Sequence, residues 1–250
     1  MPGKTPQNAS AEKGYPVKAI QIVGYKKSGK TSLAVDLAAV LKARGHVVSA
    51  AKFTHNPSLD KADTDTGRLA AHCRAVAAFT PSESAVFWSG PRFLHDVVPL
   101  LDAEVLVVEG GKELACMPRL LVLRDPAEAD ELGAGLALAT FGPVTASGLP
   151  HLGDVEAVAD LVLSRGFLLP KLDCGACGEP DCAAMAARIV ANEATPADCQ
   201  AVHESFRVTV GGAPLAMNPF VERLLAAGIK AMLAQLKGYS PGRVEIGLDA

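Results

Sequence analysis

A three-layer α/β domain with a mostly parallel sheet, followed by a small cysteine-bearing module and a small C-terminal α/β extension, is the architecture this sequence predicts. Three observations predict it. Between residues 17 and 166, short apolar runs rich in β-branched residues alternate with helix-length stretches. At 167 the composition changes, and four cysteines follow by residue 199. From 206 a Gly-Gly turn precedes one more helical stretch. The divisions drawn are a flexible tail over 1–16, the α/β domain over 17–166, the cysteine module over 167–205 and a strand–helix–strand extension over 206–250.

The elements follow in order. VKAIQIVG (17–24) reads as a buried strand ending in glycine, and GKTSLAVDLAAVLKARG (29–45) as a helix with Leu33, Leu37, Val40 and Leu41 on one face. HVVSAAKF (46–53) is a second strand. The Ala-rich stretch from about Asp65 to Ala78 reads as a helix. SAVFW (84–88), EVLVVEG (104–110), RLLVLRD (119–125) and LALATFG (136–142) are further short strands bounded by turn residues. GDVEAVADLVLSRG (153–166) closes the domain as a helix with Val155, Val158 and Val162 inward. Beyond the cysteines, NPFVERLLAAGIKAMLAQLKG (218–238) has Asn218 as N-cap and Pro219 in the first turn. Its stripe is Val221, Leu225, Ile229, Met232 and Leu236, and RVEIGL (243–248) reads as a last strand.

GYKKSGKT (24–31) fits G-x-x-x-x-G-K-S/T, with a strand before it and a helix after it. The arrangement predicts the phosphate loop of a P-loop NTPase, the plainer reading being a chance glycine-rich turn. Gly24 and Gly29 let the backbone bend so that amides in the Gly24, Ser28, Gly29, Lys30, Thr31, Ser32 segment converge on phosphate at a helix N-terminus. Lys30 is expected to reach the β- and γ-phosphates, and the Thr31 hydroxyl to ligate Mg2+. Glu109, at the end of an apolar run and ahead of two glycines, is the candidate acidic partner for that magnesium; the plainer reading is a strand-end glutamate before a turn. Asp65 is a candidate sensor of the γ-phosphate or else simply part of an Asp/Thr-rich helix start. The N/T-K-x-D guanine-reading motif is absent from the sequence; Asp125 could read the base or be an ordinary turn residue before proline. Lys30, Glu109 and Asp65 are thus the candidate catalytic residues, and Asp125 joins the loop residues as a nucleotide-binding candidate.

The second constellation is Cys174-x2-Cys177-x4-Cys182-x16-Cys199. Four thiolates suit either a 4Fe–4S cluster or Zn2+. One compact Gly-containing loop carries three of them, and the second paired knuckle usual for zinc is missing, which favours iron–sulfur with zinc as the alternative. Gly175 and Gly178 leave amides free for cluster sulfurs. Asp173, Glu179, Asp181 and Asp198 crowd the site with negative charge, so a low reduction potential is expected. Cys73 and Cys116 read as packing thiols without a role, Trp88 and the methionines as core, and His55 as a loop histidine.

Taken together, VKAIQIVGYKKSGKTSL, KFTH (52–55), DTDTGR (63–68) and VLVVEGGK resemble the molybdopterin-guanine dinucleotide biosynthesis protein B (MobB) family over roughly residues 17–165. The resemblance implies a P-loop fold, GTP binding with weak hydrolysis, and an accessory role in molybdenum cofactor maturation. It sets Lys30 and Thr31 at the nucleotide and magnesium positions and Asp65 and Glu109 at matching acidic positions. Two departures stand out: only His55 occupies the usual histidine-rich stretch, and EGGK lacks the family's aromatic. CGACGEPDCAAMAARIVANEATPADC is similar to a small 4Fe–4S domain of electron-transfer and corrinoid-related proteins, matching every cysteine and both glycines. Met185 stands where that domain often has an aromatic.

The net charge of −3 and the lack of a basic stripe exclude a nucleic-acid footprint. No apolar run reaches the ~18 residues of a membrane span. The first residues lack a secretory h-region, so a cytoplasmic protein is expected, in which clustered cysteines suggest metal or redox chemistry before disulfides. The leading expectation is a GTP-binding accessory protein of molybdenum or tungsten cofactor maturation, a slow GTPase more than an ATPase, carrying the cluster. The alternatives are a nucleotide-gated electron donor to a metalloenzyme and a non-enzymatic nucleotide-binding adaptor. GTP or ATP with Mg2+ is the expected ligand. A molybdopterin-handling protein or metalloenzyme and a second copy of the chain in a homodimer are the expected partners.

Overall fold

The computed structural model describes residues 17–54, 59, 64–201, 208–211, 213–215, 217–239 and 246. The N-terminal tail, His55, Asp63 and the strand expected over 243–248, apart from Ile246, lie outside these residues. In chain order the strands are β1 (Lys18–Val23), β2 (Val48–Lys52), β3 (Ala75–Phe79), β4 (Ser84–Trp88), β5 (Val105–Glu109), β6 (Arg119–Leu121), β7 (Ala137–Phe141), β8 (His151–Leu152), β9 (Thr209–Val210) and β10 (Ala213–Pro214). The helices are α1 (Lys30–Ala43), α2 (Asp65–Ala70), α3 (Leu94–Val97), α4 (Ala129–Gly133), α5 (Val155–Arg165), α6 (Cys182–Val190) and α7 (Pro219–Leu233).

Six strands form one sheet in the order β2-β5-β1-β6-β7-β8, and every neighbouring pair is parallel. A parallel sheet needs cover on both faces, which explains the near-continuous apolar runs of β1 and β5. Period-two alternation divides their side chains. Ile20, Ile22, Val105 and Val107 face α1 and α5, where Leu33, Leu37, Leu41, Val158 and Val162 complete one core. Ala19, Leu106 and Val108 face the other way.

That second face is covered by the cysteine region. Phe167, Leu168 and Leu169 leave α5 and pack with Met185, Ala186 and Ile189 of α6 against Ala19, Leu106 and Val108. Leu94 and Val98 complete this layer. Burying each such side chain contributes about 1.5–3 kcal/mol, so the cysteine region is built into the sandwich as its third layer.

The helix expected from about Asp65 to Ala78 forms only over its first six residues. The chain makes only α2, capped by Thr64, whose hydroxyl accepts from Gly67 N at 3.1 Å. Residues 75–79 instead pair antiparallel with β4 as a hairpin separate from the main sheet. Thr80 closes its turn: its amide donates to Glu83 O at 2.8 Å, and its hydroxyl accepts from the Ser82 and Glu83 amides. Alanine's helix preference amounts to tenths of a kcal/mol per residue, less than a five-pair ladder supplies. Trp88 lies half-buried on this hairpin beneath Arg92 rather than in the core. Met232 on α7 is 66% exposed, so it is not a core methionine either.

Candidate functional site

The phosphate loop joins the end of β1 to α1 at the carboxyl edge of the sheet, where the chain departs from β1 with β5 on one side and β6 on the other. Gly24 is obligatory there, because a Cβ would stand 2.3 Å from Val122 O and 2.6 Å from Ser28 Oγ. Gly29 takes φ of 100° at the N-cap of α1, and no side chain caps that end. The first-turn amides of a 14-residue helix therefore face an open space rather than a protein acceptor. Lys26, Lys27, Gly29, Lys30, Thr31, Ser32 and Glu109 line it. The Ser28 Oγ is buried without a hydrogen-bond partner among the described residues.

Thr31 Oγ1 donates to Glu109 Oε1 at 2.7 Å, and Glu109 Oε2 lies 3.2 Å from Lys52 Nζ. Lys30 folds back over the loop, its Nζ donating to Tyr25 O at 2.6 Å. Partial burial holds the Lys30 ammonium below the ordinary lysine value; Glu109 opposes that shift, and Lys112, Lys52 and Arg124 add to it. Three lysines on the rim and one carboxylate beside the threonine hydroxyl make a space suited to a polyanion carrying a divalent cation.

The structure does not bring Asp65 or Asp125 to that lining. Asp65 opens α2 and pairs with Arg68 at 3.5 Å. Asp125 caps the single 3-10 turn Pro126–Glu128, its Oδ1 accepting from Ala127 N at 2.8 Å. One arrangement had no distinct signal in the sequence: Tyr25 lies between Lys112 Nζ, 3.7 Å from its ring centre, and Arg124.

On the second face, Cys174, Cys177, Cys182 and Cys199 line one pocket with Pro170, Leu172 and Met185. Cys182 and Cys199 are buried, Cys177 is half-buried and Cys174 exposed. Cys182 begins α6, with Asp181 as N-cap accepting from Ala184 N at 2.8 Å. Asp173 holds the same cysteine reciprocally: its amide donates to Cys182 Sγ at 3.4 Å and its Oδ1 accepts from Cys182 N at 2.9 Å. Among the described residues no three His, Cys, Asp or Glu side chains close to single-ion spacing; the four cysteines share the lining of one small pocket. An all-cysteine donor set, an amide aimed at a ligand sulfur and a shared pocket fit an iron–sulfur cluster.

The acidic crowding expected around the cysteines is largely compensated. Asp173 pairs with Lys171 at 3.2 Å and Glu179 with Arg188 at 2.5 Å, while Asp181 and Asp198 serve as helix-end caps. Cys116, expected to be a packing thiol, is fully buried in this same core, where burial pushes its pKa up to about 12.

Two family models match this chain. Residues 19–139 match the family "Molybdopterin guanine dinucleotide synthesis protein B" (MobB), and residues 169–201 match the family described as "Putative Fe-S cluster". A protein of Methanocaldococcus jannaschii named "Putative molybdopterin-guanine dinucleotide biosynthesis adapter protein" is 24% identical over 242 residues, covering 93% of this chain and 98% of its own. Among solved structures, a MobB homologue from Bacillus stearothermophilus is 22% identical, with 60% of this chain and 100% of that one covered and a TM-score of 0.45. MobB of Bacillus subtilis is also 22% identical, with 58% and 96% covered and a TM-score of 0.49.

Proposed function

We propose, from the premise that this chain joins a MobB-family domain to an iron–sulfur region, that it is a GTP-binding accessory protein of molybdopterin guanine dinucleotide biosynthesis that carries a 4Fe–4S cluster. The observation that carries the nucleotide half is the Thr31–Glu109 contact, which unites the two magnesium candidates from residues 78 positions apart. In this reading the α1 amides and Lys30 hold the β- and γ-phosphates. Thr31 and Glu109 hold the metal through oxygen and water, and Ser32 and Ser28 complete the loop. Asp65, exposed at the start of α2, is the candidate sensor of the γ-phosphate, and Asp125 the candidate contact to the base. Slow hydrolysis fits an adaptor that changes state, and the relative's printed role as an adapter supports that use.

The cluster half rests on Cys174, Cys177, Cys182 and Cys199 around one pocket. The cluster would supply one-electron chemistry, and the chain supplies its four thiolates and the Asp173 amide. Titration of anaerobically prepared protein with Mg·GTP tests the nucleotide half. Saturable binding that is lost in Lys30→Ala supports it, and equal binding by wild type and variant refutes it.

A further inference from the structure

Glu109, beside the phosphate loop, and Cys116, in the core behind the cysteine pocket, are the two ends of one short connector, residues 110–116. Its path is held from beneath by two polar residues of the sheet. Gln21 Nε2 donates to Gly110 O at 2.8 Å and also to Gly111 O. Arg119, 3% exposed, donates from its guanidinium to Lys112 O at 2.5 Å, Leu114 O at 2.9 Å, Leu132 O at 2.8 Å and Gln21 Oε1 at 3.1 Å. Among the described residues these partners are all neutral. Burial penalises the guanidinium, and the Glu113 carboxylate of the connector offsets only part of that cost; an apolar side chain would fill the same volume without it. What arginine alone provides here is a grip on several carbonyls of the connector at once.

Each end of the connector is tied to a site. At one end Gly110 N donates to Ile22 O at 3.0 Å, and a Cβ on Gly110 would stand 2.8 Å from Phe53 O, so Glu109 sits in a closely packed frame. At the other, Leu169 N donates to Cys116 O at 2.8 Å, and the chain runs from Leu169 through Lys171 to Asp173, whose amide bonds Cys182 Sγ. Segments packed this tightly shift between discrete arrangements rather than absorb displacement.

We propose that Arg119 is a positioning residue that, through the 110–116 connector, couples occupancy of the phosphate site to the redox state of the cluster. The proposal rests on the nucleotide-and-cluster reading above. Magnesium nucleotide re-engages Thr31 and Glu109 and so resets one end of the connector. At the other end a low-potential one-electron carrier gives one electron to the cluster, which passes from its 2+ to its 1+ state; no bond forms or breaks, and the carrier is oxidised by one electron. The added negative charge acts on Lys171 and Asp173. Linkage makes the effect reciprocal: a tenfold preference of nucleotide for one redox state equals a potential shift of about 59 mV.

The test uses the full chain prepared anaerobically, with iron content, Mg·GTP affinity in the oxidised and dithionite-reduced states, and midpoint potential with and without Mg·GTP as readouts. Affinities differing at least about fivefold between redox states, with the matching shift in potential, are expected. Arg119→Met and Gln21→Met should keep iron and oxidised-state affinity while bringing that ratio to one. If Arg119→Met does not fold, Gln21→Met carries the comparison. Equal affinities in both redox states of a protein that holds cluster and nucleotide overturn the proposal alone, as does a ratio unchanged in the variants. A wild-type protein lacking either ligand overturns the functional reading and the proposal with it.

Discussion

Thr31 Oγ1 and Glu109 Oε1 stand 2.7 Å apart, so the first turn of α1 and the end of β5 meet at one hydrogen bond beside the phosphate loop. In the proposed reading, the bond brings together the hydroxyl and the carboxylate that would hold a hydrated magnesium ion. Thr31→Ala should weaken Mg2+-dependent nucleotide binding about tenfold, the loss of one contact to a charged group. It should leave metal-free binding nearly unchanged. Calorimetric titration with and without Mg2+ checks this. Glu109→Gln should likewise weaken Mg2+-dependent binding, and slow hydrolysis.

Lys30 gives the site a defined pH dependence. Its pKa lies below 10.5 in the free protein, chiefly through burial. Nucleotide phosphates favour the ammonium form, so binding takes up a proton at pH values above the free-site pKa. Affinity should therefore fall as pH rises toward 10.5, and Lys30→Arg should flatten the fall. The folding term has the opposite slope. The unfolded lysine binds its proton more tightly, so the cost of the buried charge is relieved as pH rises through the lowered pKa. Dissociation constants measured between about pH 7 and 10 bring out the binding term.

The six cysteines should separate by reactivity. Alkylation requires thiolate and access. Cys116, buried and with its pKa pushed up to about 12, should resist iodoacetamide with or without the cluster. Exposed Cys73 should react in both states. Cys174, also exposed, should become protected once the cluster is loaded. Peptide mass mapping after timed alkylation distinguishes the three behaviours.

Building the cysteine region into the third layer has an energetic consequence. Met185 and Ile189 are buried in the core that covers the second face of the sheet. Met185→Ala or Ile189→Ala should each cost about 2–5 kcal/mol of global stability in urea unfolding of the metal-free protein. Val86→Ala, at a residue 48% exposed on the hairpin, should change it by less than about 0.5 kcal/mol.

What the sequence disclosed and what it hid divide along the range of the interactions. Strand, glycine loop and helix at 17–45 are local signals, as are the spacing of the four cysteines and the Asn218 cap, and all of them appear where their residues imply. The third layer was not legible, because its evidence is long-range: Phe167, Leu168 and Leu169 look like the exit from one domain until they are seen against Ala19 and Leu106. The stretch ending at Phe79 misleads for a related reason, since alanine's weak helical bias gave way to pairing with β4. Thr80 and Pro81 marked the turn. Gln21 and Arg119 carry no motif; Gln21 interrupts the apolar run of β1 and Arg119 opens β6. Their sharing of a single hydrogen-bond network emerges only in three dimensions.

Native mass spectrometry of the anaerobically prepared chain with Mg·GTP reads both ligands on one molecule. The expected result is a single ion carrying the added masses of one four-iron, four-sulfide cluster and one nucleotide, with Cys174→Ser losing the first and Lys30→Ala the second. A chain that carries zinc in place of the cluster, or that never carries nucleotide, would contradict it.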